Sequence, residues 1–438
     1  MAIDRDGPQA LGNFPDAEAG LEWSNELKRG RVPGPRLAQH KVVEAARGDS
    51  TKCVHAGTFE DPSVGSVVTP IFQSSTFLFS EKTYSSFTQG NTRDVPIYTR
   101  YGNPNQWSVQ EKIATLEGAE SSVVFASGMA AIFSTLLSLT NRGGHIISSR
   151  DVYGGTYNLL REDMHQFGRS VSLVDPTSIE QVEQAICDET QLLFFETLTN
   201  PLLKAPRLLE LIALAKRRQL LVVLDNTFLT PILFRPIEIG ADVVIHSCTK
   251  YMNGHSDLVA GVASGARKYI DRIWAQHLKV GGQLEPISCF LLERGLKTLA
   301  LRMRQQQKSA NDLVQYLGQH PKVGKVHHPL ARHYQYPWVD QFCRGNFGAM
   351  IAFEVVGGDE AALALLRHLR LPAAATSLGG VESLVSLPFN TSHSVLTAAQ
   401  RKALGIEPGL VRFSVGIEDT VDLIADLEQA LGKLGAMS

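Results

Sequence analysis

The feature that most constrains the fold is an alternation running from about residue 115 to 265. Short apolar runs, "SSVVFAS" (121–127), "GHIISS" (144–149), "SVSLVD" (170–175), "LLFFET" (192–197), "LLVVLDN" (220–226) and "DVVIHS" (242–247), are separated by amphipathic stretches such as "SIEQVEQAI" and "LLELIALAKRRQ". Runs rich in β-branched and aromatic residues suit strands buried on both faces, and the stretches between them supply covering helices. The pattern predicts an α/β domain around a parallel sheet. Ligands bind such sheets beyond the carboxyl ends of the strands, so chemistry is expected just after each run, where polar residues cluster.

A long helical stretch is expected over about 287–320, followed by strand-like "AMIAFEV" (349–355), helix-like "DEAALALLRHL" (359–369), strand-like "LVRFSVGI" (410–417) and a terminal helix. At 438 residues the chain exceeds the ~250–300 that one core covers. The expected division is an N-terminal arm over 1–60, an α/β domain over 61–299 and a smaller α+β domain over 300–438. The basic cluster "LKRGRVPGPR" in the arm reads as a solvated surface.

The net charge of −2 gives no reason to expect nucleic acid or an anionic membrane as a partner. No apolar run approaches the ~20 residues that span a bilayer, and "MAIDRDGPQALGNFPDAEAG" lacks a signal-peptide apolar core. The five cysteines are scattered without C-x-x-C spacing, as expected of reduced thiols in the cytoplasm. The histidines of "VHHPLARHY" (326–334) have no carboxylate at helical spacing, so no metal site is expected. Absence of a G-x-G-x-x-G turn argues against a dinucleotide oxidoreductase.

The strand ends carry the chemistry. Asp225 closes "LLVVLDN" and Lys250 lies in "HSCTKYMNGHSD" (246–257) after the next run. Alone, the first fits a cap or turn and the second a solvated amine. Together they suit pyridoxal 5'-phosphate, which needs a lysine for its Schiff base and an acid at its ring nitrogen. Ser247 and Thr249 would face one side in extended backbone and could serve the phosphate. "ASGMAA" (126–131) ends a strand and opens a helix, whose free N–H groups bind phosphate. Tyr153 in "DVYGGTY" could stack on a flat ring or simply pack. Asn200 in "ETLTNP" could donate to a ring hydroxyl or simply turn. Arg412 alternates with Val411 and Phe413, so it faces solvent or a cleft in which it could grip a carboxylate. Cys248 reads as a packing thiol.

These motifs, with "YTRYGNP" (98–104), "LDNT" (224–227), "SLGGVESL" (377–384) and "VRFSVGIED" (411–419), together resemble the Cys/Met-metabolism family of pyridoxal-phosphate enzymes, from about residue 51 to the C-terminus. The resemblance implies the aspartate-aminotransferase-like fold (fold type I) and a homotetramer of two dimers acting on a small amino acid. It implies Lys250 as Schiff-base lysine, Asp225 at the ring nitrogen and Tyr153 as ring-stacking residue and candidate acid or base. Gly128, Met129, Ser247 and Thr249 match phosphate-binding positions. Tyr98 and Arg100 match a pair that reaches the neighbouring subunit's phosphate. Asn200 matches the residue near the ring hydroxyl. Ser377 and Arg412 match positions that hold the substrate carboxylate, and Glu382 fits the branches acting at Cγ.

The reaction expected is γ-replacement or γ-elimination on a homoserine-derived or sulfur amino acid. "RYGNP" and "RGLKTLALRMRQQQ" resemble cystathionine γ-synthases. The alternatives are a cystathionine or methionine γ-lyase, an O-acylhomoserine sulfhydrylase, and, from another class, a non-catalytic binding protein that kept the fold. Gly155 stands where many methionine γ-lyases carry cysteine, and Ile97 where many cystathionine enzymes carry glutamate.

Overall fold

Seven strands form the larger sheet of the computed structural model, which describes residues 48–59, 61, 64–391 and 397–435. Most of the expected arm lies outside the described residues. The strands are β1 (Ser121–Phe125), β2 (His145–Ser149), β3 (Ser170–Val174), β4 (Thr190–Glu196), β5 (Leu221–Asp225), β6 (Val243–His246) and β7 (Gly261–Gly265). Their order is β1-β7-β6-β5-β4-β2-β3. The run from β3 through β6 is parallel, whereas β7 lies antiparallel between β1 and β6. The sheet is therefore mixed rather than wholly parallel. The antiparallel strand is the one the apolar pattern omits, because "GVASG" offers no β-branched run. Its small residues serve close approach instead: a Cβ at Gly261 would lie 2.3 Å from the Ser127 carbonyl oxygen.

The smaller sheet contains β8 (Val323–His327), β9 (Met350–Val355), β10 (Ala373–Ala374), β11 (Leu384–Ser386) and β12 (Leu410–Ser414), ordered β10-β11-β12-β9-β8. The helical stretch expected as one piece is two helices, Pro286–Leu296 and Leu299–Leu317. The first passes so close to the loop after β6 that a Cβ at Gly295 would meet the Asn253 carbonyl at 2.4 Å.

Alternation along each strand decides which core a side chain enters. Val123, Phe125, Phe194, Val223 and Ile245 pack beneath the helices Gly128–Leu139 and Arg267–Val280. Val124, Leu193, Phe195 and Leu224 enter a second cluster on the opposite face. That cluster continues through Val314 to Phe353 and Val411 of the smaller sheet and Leu427 of the helix Thr420–Gly432. The two cores are thus split by the large sheet, not by the boundary between sheets, and the smaller sheet shares one of them through the helix Leu299–Leu317. This shared core brings β12 to the strand ends of β4, β5 and β6.

Candidate active site

Strand β6 ends at His246, and the chain then turns repeatedly through 248–253. The extended backbone expected to align Ser247 with Thr249 is absent, because the turns begin at Cys248. The Thr249 hydroxyl is instead committed to Ala260, donating to its carbonyl at 3.2 Å and accepting its N–H at 2.9 Å. Ser247 lies against Gly128, where a Cβ would fall 2.9 Å from the serine Cβ and 3.0 Å from its Oγ. Cys248 is fully buried, its Sγ 3.4 Å from Met252 Sδ, and burial pushes its thiol up.

The turns place the Lys250 ammonium 2.9 Å from Ser377 Oγ, to which it donates. Burial, and after it the Arg412 charge, lowers its pKa to about 8. Arg412, from β12, is buried rather than solvated, at 5 % exposure. Its guanidinium donates to the Thr376 carbonyl at 2.7 Å, the Ser377 carbonyl at 3.1 Å and Asn200 Oδ1 at 3.3 Å. Burial lowers its pKa to about 10, so the side chain stays cationic at neutral pH. An amine that loses its proton near neutrality is able to act as a nucleophile or a base.

Asp225 ends β5. Its Oδ1 accepts the Thr227 N–H at 2.9 Å and hydroxyl at 2.6 Å. Burial raises its pKa, against the Thr227 donors and the His246 charge. Thr227 also accepts the Ser247 N–H at 2.9 Å, so one hydroxyl ties the two strand ends together. On β4, Glu196 stands opposite Asp225 in register and accepts the Tyr153 N–H at 2.7 Å. The Tyr153 ring is 48 % exposed. Behind it, a Cβ at Gly155 would fall 2.7 Å from the tyrosine ring and 3.2 Å from Met129 Sδ. The helix Gly128–Leu139 starts beside them, with Ser127 capping through a bond from the Ala130 N–H at 3.0 Å.

One chain thus brings an amine, a guanidinium, a carboxylate and a helix N-terminus together at neighbouring strand ends. Comparison with known proteins gives this arrangement its context. Residues 50–432 match the family described as Cys/Met metabolism PLP-dependent enzyme. The chain belongs to this family. It is 40% identical over 399 residues to an L-methionine gamma-lyase of Fusobacterium nucleatum subsp. nucleatum, covering 88% of this chain and 98% of that one. A cystathionine beta-lyase of Lactococcus lactis subsp. cremoris is 38% identical over 384 residues, covering 87% and 98%. Among solved structures, a cystathionine gamma-lyase from Lactobacillus plantarum complexed with L-serine superposes with a TM-score of 0.82 at 35% identity, over 88% of this chain and 99% of that one. MetB from Corynebacterium glutamicum gives the same score and identity over 90% and 100%.

The fold is therefore the fold-type-I architecture of pyridoxal-phosphate enzymes, and pyridoxal 5'-phosphate is the cofactor of this family. The residues present fit that group. Lys250 supplies a depressed amine and Asp225 a buried carboxylate. Gly128 leaves beside Ser247 the space that a Cβ would fill, at a helix N-terminus suited to phosphate. Three of the four relatives named are lyases, which favours the lyase alternative over the γ-synthase-like expectation.

The remaining expected residues sit further out. Tyr98 is 43 % exposed, and Arg100 donates to the Leu278 carbonyl at 2.7 Å. Among the described residues no hydrogen bond joins either of them to the Lys250 cluster. Glu382 accepts the Ser256 hydroxyl, in a loop whose Gly379 presses on the Lys250–Tyr251 backbone. His327 of "VHHPLARHY" pairs with Glu354 of the adjacent strand at 2.7 Å, a carboxylate that helical spacing could not reveal. No helix among the described residues is long and apolar enough to cross a membrane.

The sequence reading overlooked four contributors. Thr227 and Glu196 were present in "LDNT" and "ETLTNP" but had no role attached. Arg302 donates to the carbonyls of Tyr251 (2.6 Å), Met252 (3.2 Å) and Gly295 (2.8 Å), clamping the loop that carries Lys250. Glu117 bonds His246 at 2.5 Å with both side chains buried. The last two come from distant helices and left no local signal.

Proposed function

We propose that the protein is a carbon–sulfur lyase that eliminates a thiol from Cγ of a sulfur amino acid, yielding a keto acid and ammonia. The observation that carries this is the contact of Lys250 with Ser377 beside Arg412. It puts a proton-accepting amine next to the residues suited to a substrate carboxylate. The identities of 38–40% to named lyases favour elimination over replacement.

Bound here, pyridoxal 5'-phosphate supplies the aldehyde that links to an amine and a ring that takes up negative charge from Cα. Lys250 anchors it and afterwards takes the Cα proton at Nζ. Asp225 holds the ring nitrogen, oriented by both Thr227 donors. Tyr153 covers the ring face and moves protons at its phenol oxygen. Gly128, Met129 and Ser247 would line the phosphate seat, Thr249 would brace it through its bonds to Ala260, and Asn200 would lie by the ring hydroxyl. Arg412 grips the substrate carboxylate with two donors, with Ser377 beside it. Glu382, at the mouth, sets substrate choice. Tyr98 and Arg100 act in the site of a second copy, so the working form is a homotetramer with shared sites. The five free cysteines suit a reducing cytoplasm.

Lys250→Ala is expected to abolish turnover and the absorbance band at about 420 nm usual for this cofactor class. An active variant would sink the proposal. A panel of methionine, homocysteine, cystathionine and O-acylhomoserines, with keto acid and thiol both assayed, separates elimination from replacement. Thiol-dependent product without keto acid would reverse the assignment to a γ-synthase.

A further inference from the structure

Glu196 is a buried carboxylate at the end of β4 and has no role in the reaction just described. It stands in register with Asp225 on the adjacent parallel strand, so two carboxyl groups project side by side from neighbouring strand ends. One oxygen accepts the Tyr153 N–H at 2.7 Å. The other, Oε2, is buried without a partner. The titratable groups around the pair are Asp151 and Tyr153 after β2, Lys204 paired to Asp151 at 2.9 Å, and His246 on β6, while Arg412 on β12 reaches Asn200. None of these cations is bonded to Glu196, since Lys204 is spent on Asp151 and Arg412 on the carbonyls and Asn200.

We propose that Glu196 is a positioning residue: it stays protonated, fixes the Tyr153 and Asn200 backbones, and leaves the neighbouring Asp225 as the single anion of the pair. Two adjacent buried carboxyl groups cannot both ionise cheaply, and the less compensated one keeps the proton. Asp225 has two Thr227 donors on Oδ1, whereas Glu196 has one bonded oxygen and one orphan. Burial and the Asp225 charge hold the Glu196 carboxyl well above its usual range, against the N–H groups of Tyr153 and Asn200. The inference rests on the proposed cofactor seat for one arm of its test only.

The first arm needs no cofactor. A carboxyl whose folded pKa is raised binds its proton in the folded chain after the unfolded chain has released it, so its stabilisation is lost as pH rises from the unfolded carboxylate value. Glu196→Gln mimics the protonated form and cannot titrate. Its melting temperature should therefore fall less than that of the wild type between pH 5 and pH 8. Parallel curves would overturn the inference, even if every assignment to the cofactor stood.

The second arm uses the loaded enzyme. Glu196→Gln, which keeps an acceptor for Tyr153 and puts no second charge beside Asp225, should retain cofactor within a few-fold of wild type. Glu196→Ala should release it at least about tenfold more readily by equilibrium dialysis, with a shifted cofactor absorbance. Equal retention by the alanine variant, or equal damage in both, would refute the positioning role. If the alanine variant does not fold, the glutamine curve of the first arm still decides.

Discussion

At single positions, the geometry of the site turns on hydroxyls and missing Cβ atoms. A Cβ at Gly128 would meet Ser247 Cβ at 2.9 Å, closer than side chains approach without moving backbone. Gly128→Ala should therefore weaken cofactor retention by about tenfold, roughly 1.4 kcal/mol, by equilibrium dialysis, and lower the melting temperature as the contact forces a shift. Thr249 has a different fate from Ser247. Its hydroxyl makes both bonds to Ala260, so Thr249→Ala should first cost stability, about 1–2 kcal/mol for the lost bonds, read by denaturant unfolding. Cys248→Ala should leave cofactor retention unchanged, as the thiol packs on Met252 away from the cleft. Residue types at strand ends told which groups were available, since a carboxylate, an amine and an arginine after apolar runs are legible in one dimension. Their protonation was not legible. The fall of Lys250 to about 8 comes from burial and from Arg412, which is 162 residues away in the chain and adjacent only through the shared core.

Among elements, the loop 247–257 is held from outside rather than by its own sequence. Arg302, on helix Leu299–Leu317, donates to three carbonyls around it. A Cβ at Gly254, where φ is +73, would strike that guanidinium. Arg302→Leu strands buried carbonyl acceptors and should destabilise the fold by about 3 kcal/mol or more. The loss of stability should be accompanied by weaker cofactor absorbance. Retention of both would show that the loop needs no clamp. The apolar runs foretold β1 to β6 because burial on both faces demands them. They did not foretell β7, where the need for close backbone approach at Gly261 outweighs strand propensity. The break between Leu296 and Leu299 was likewise hidden, since it follows from how the first helix docks on Asn253.

Over the whole molecule, buried titratable groups set opposing slopes of stability against pH. Burial lowers His277 from 6.5 to about 4 and His328 to about 3. The unfolded chain takes up these protons near pH 6.5 and the folded chain does not, so stability present above that value is lost as pH falls toward 4. The raised carboxyls of Asp151, Glu196 and Asp225 act in the other direction. A melting temperature that declines on acidification from pH 6.5 to 4 is expected, with a smaller decline in His277→Leu. A site shared between copies has its own signature. Lys250→Ala and Arg100→Ala, each inactive alone, should restore up to about a quarter of wild-type activity when co-expressed, as expected for random pairing across a two-fold interface. No restoration would place Arg100 in the same chain's site.

By itself the sequence determined the layering of strands and helices, the residue types offered at each strand end, and through its motifs the family and its cofactor. Those are local properties: hydrophobic period, turn chemistry and short spacing survive in one dimension. Only the tertiary structure decided which groups meet. It joined Lys250 to Ser377, anchored Arg412 to the backbone of 376–377, set Glu196 beside Asp225, and brought Arg302 and Glu117 under the loop from helices far away. The physical reason is that burial and charge act through space, and the core shared by the two sheets, which no local pattern encodes, fixes the distances over which they act.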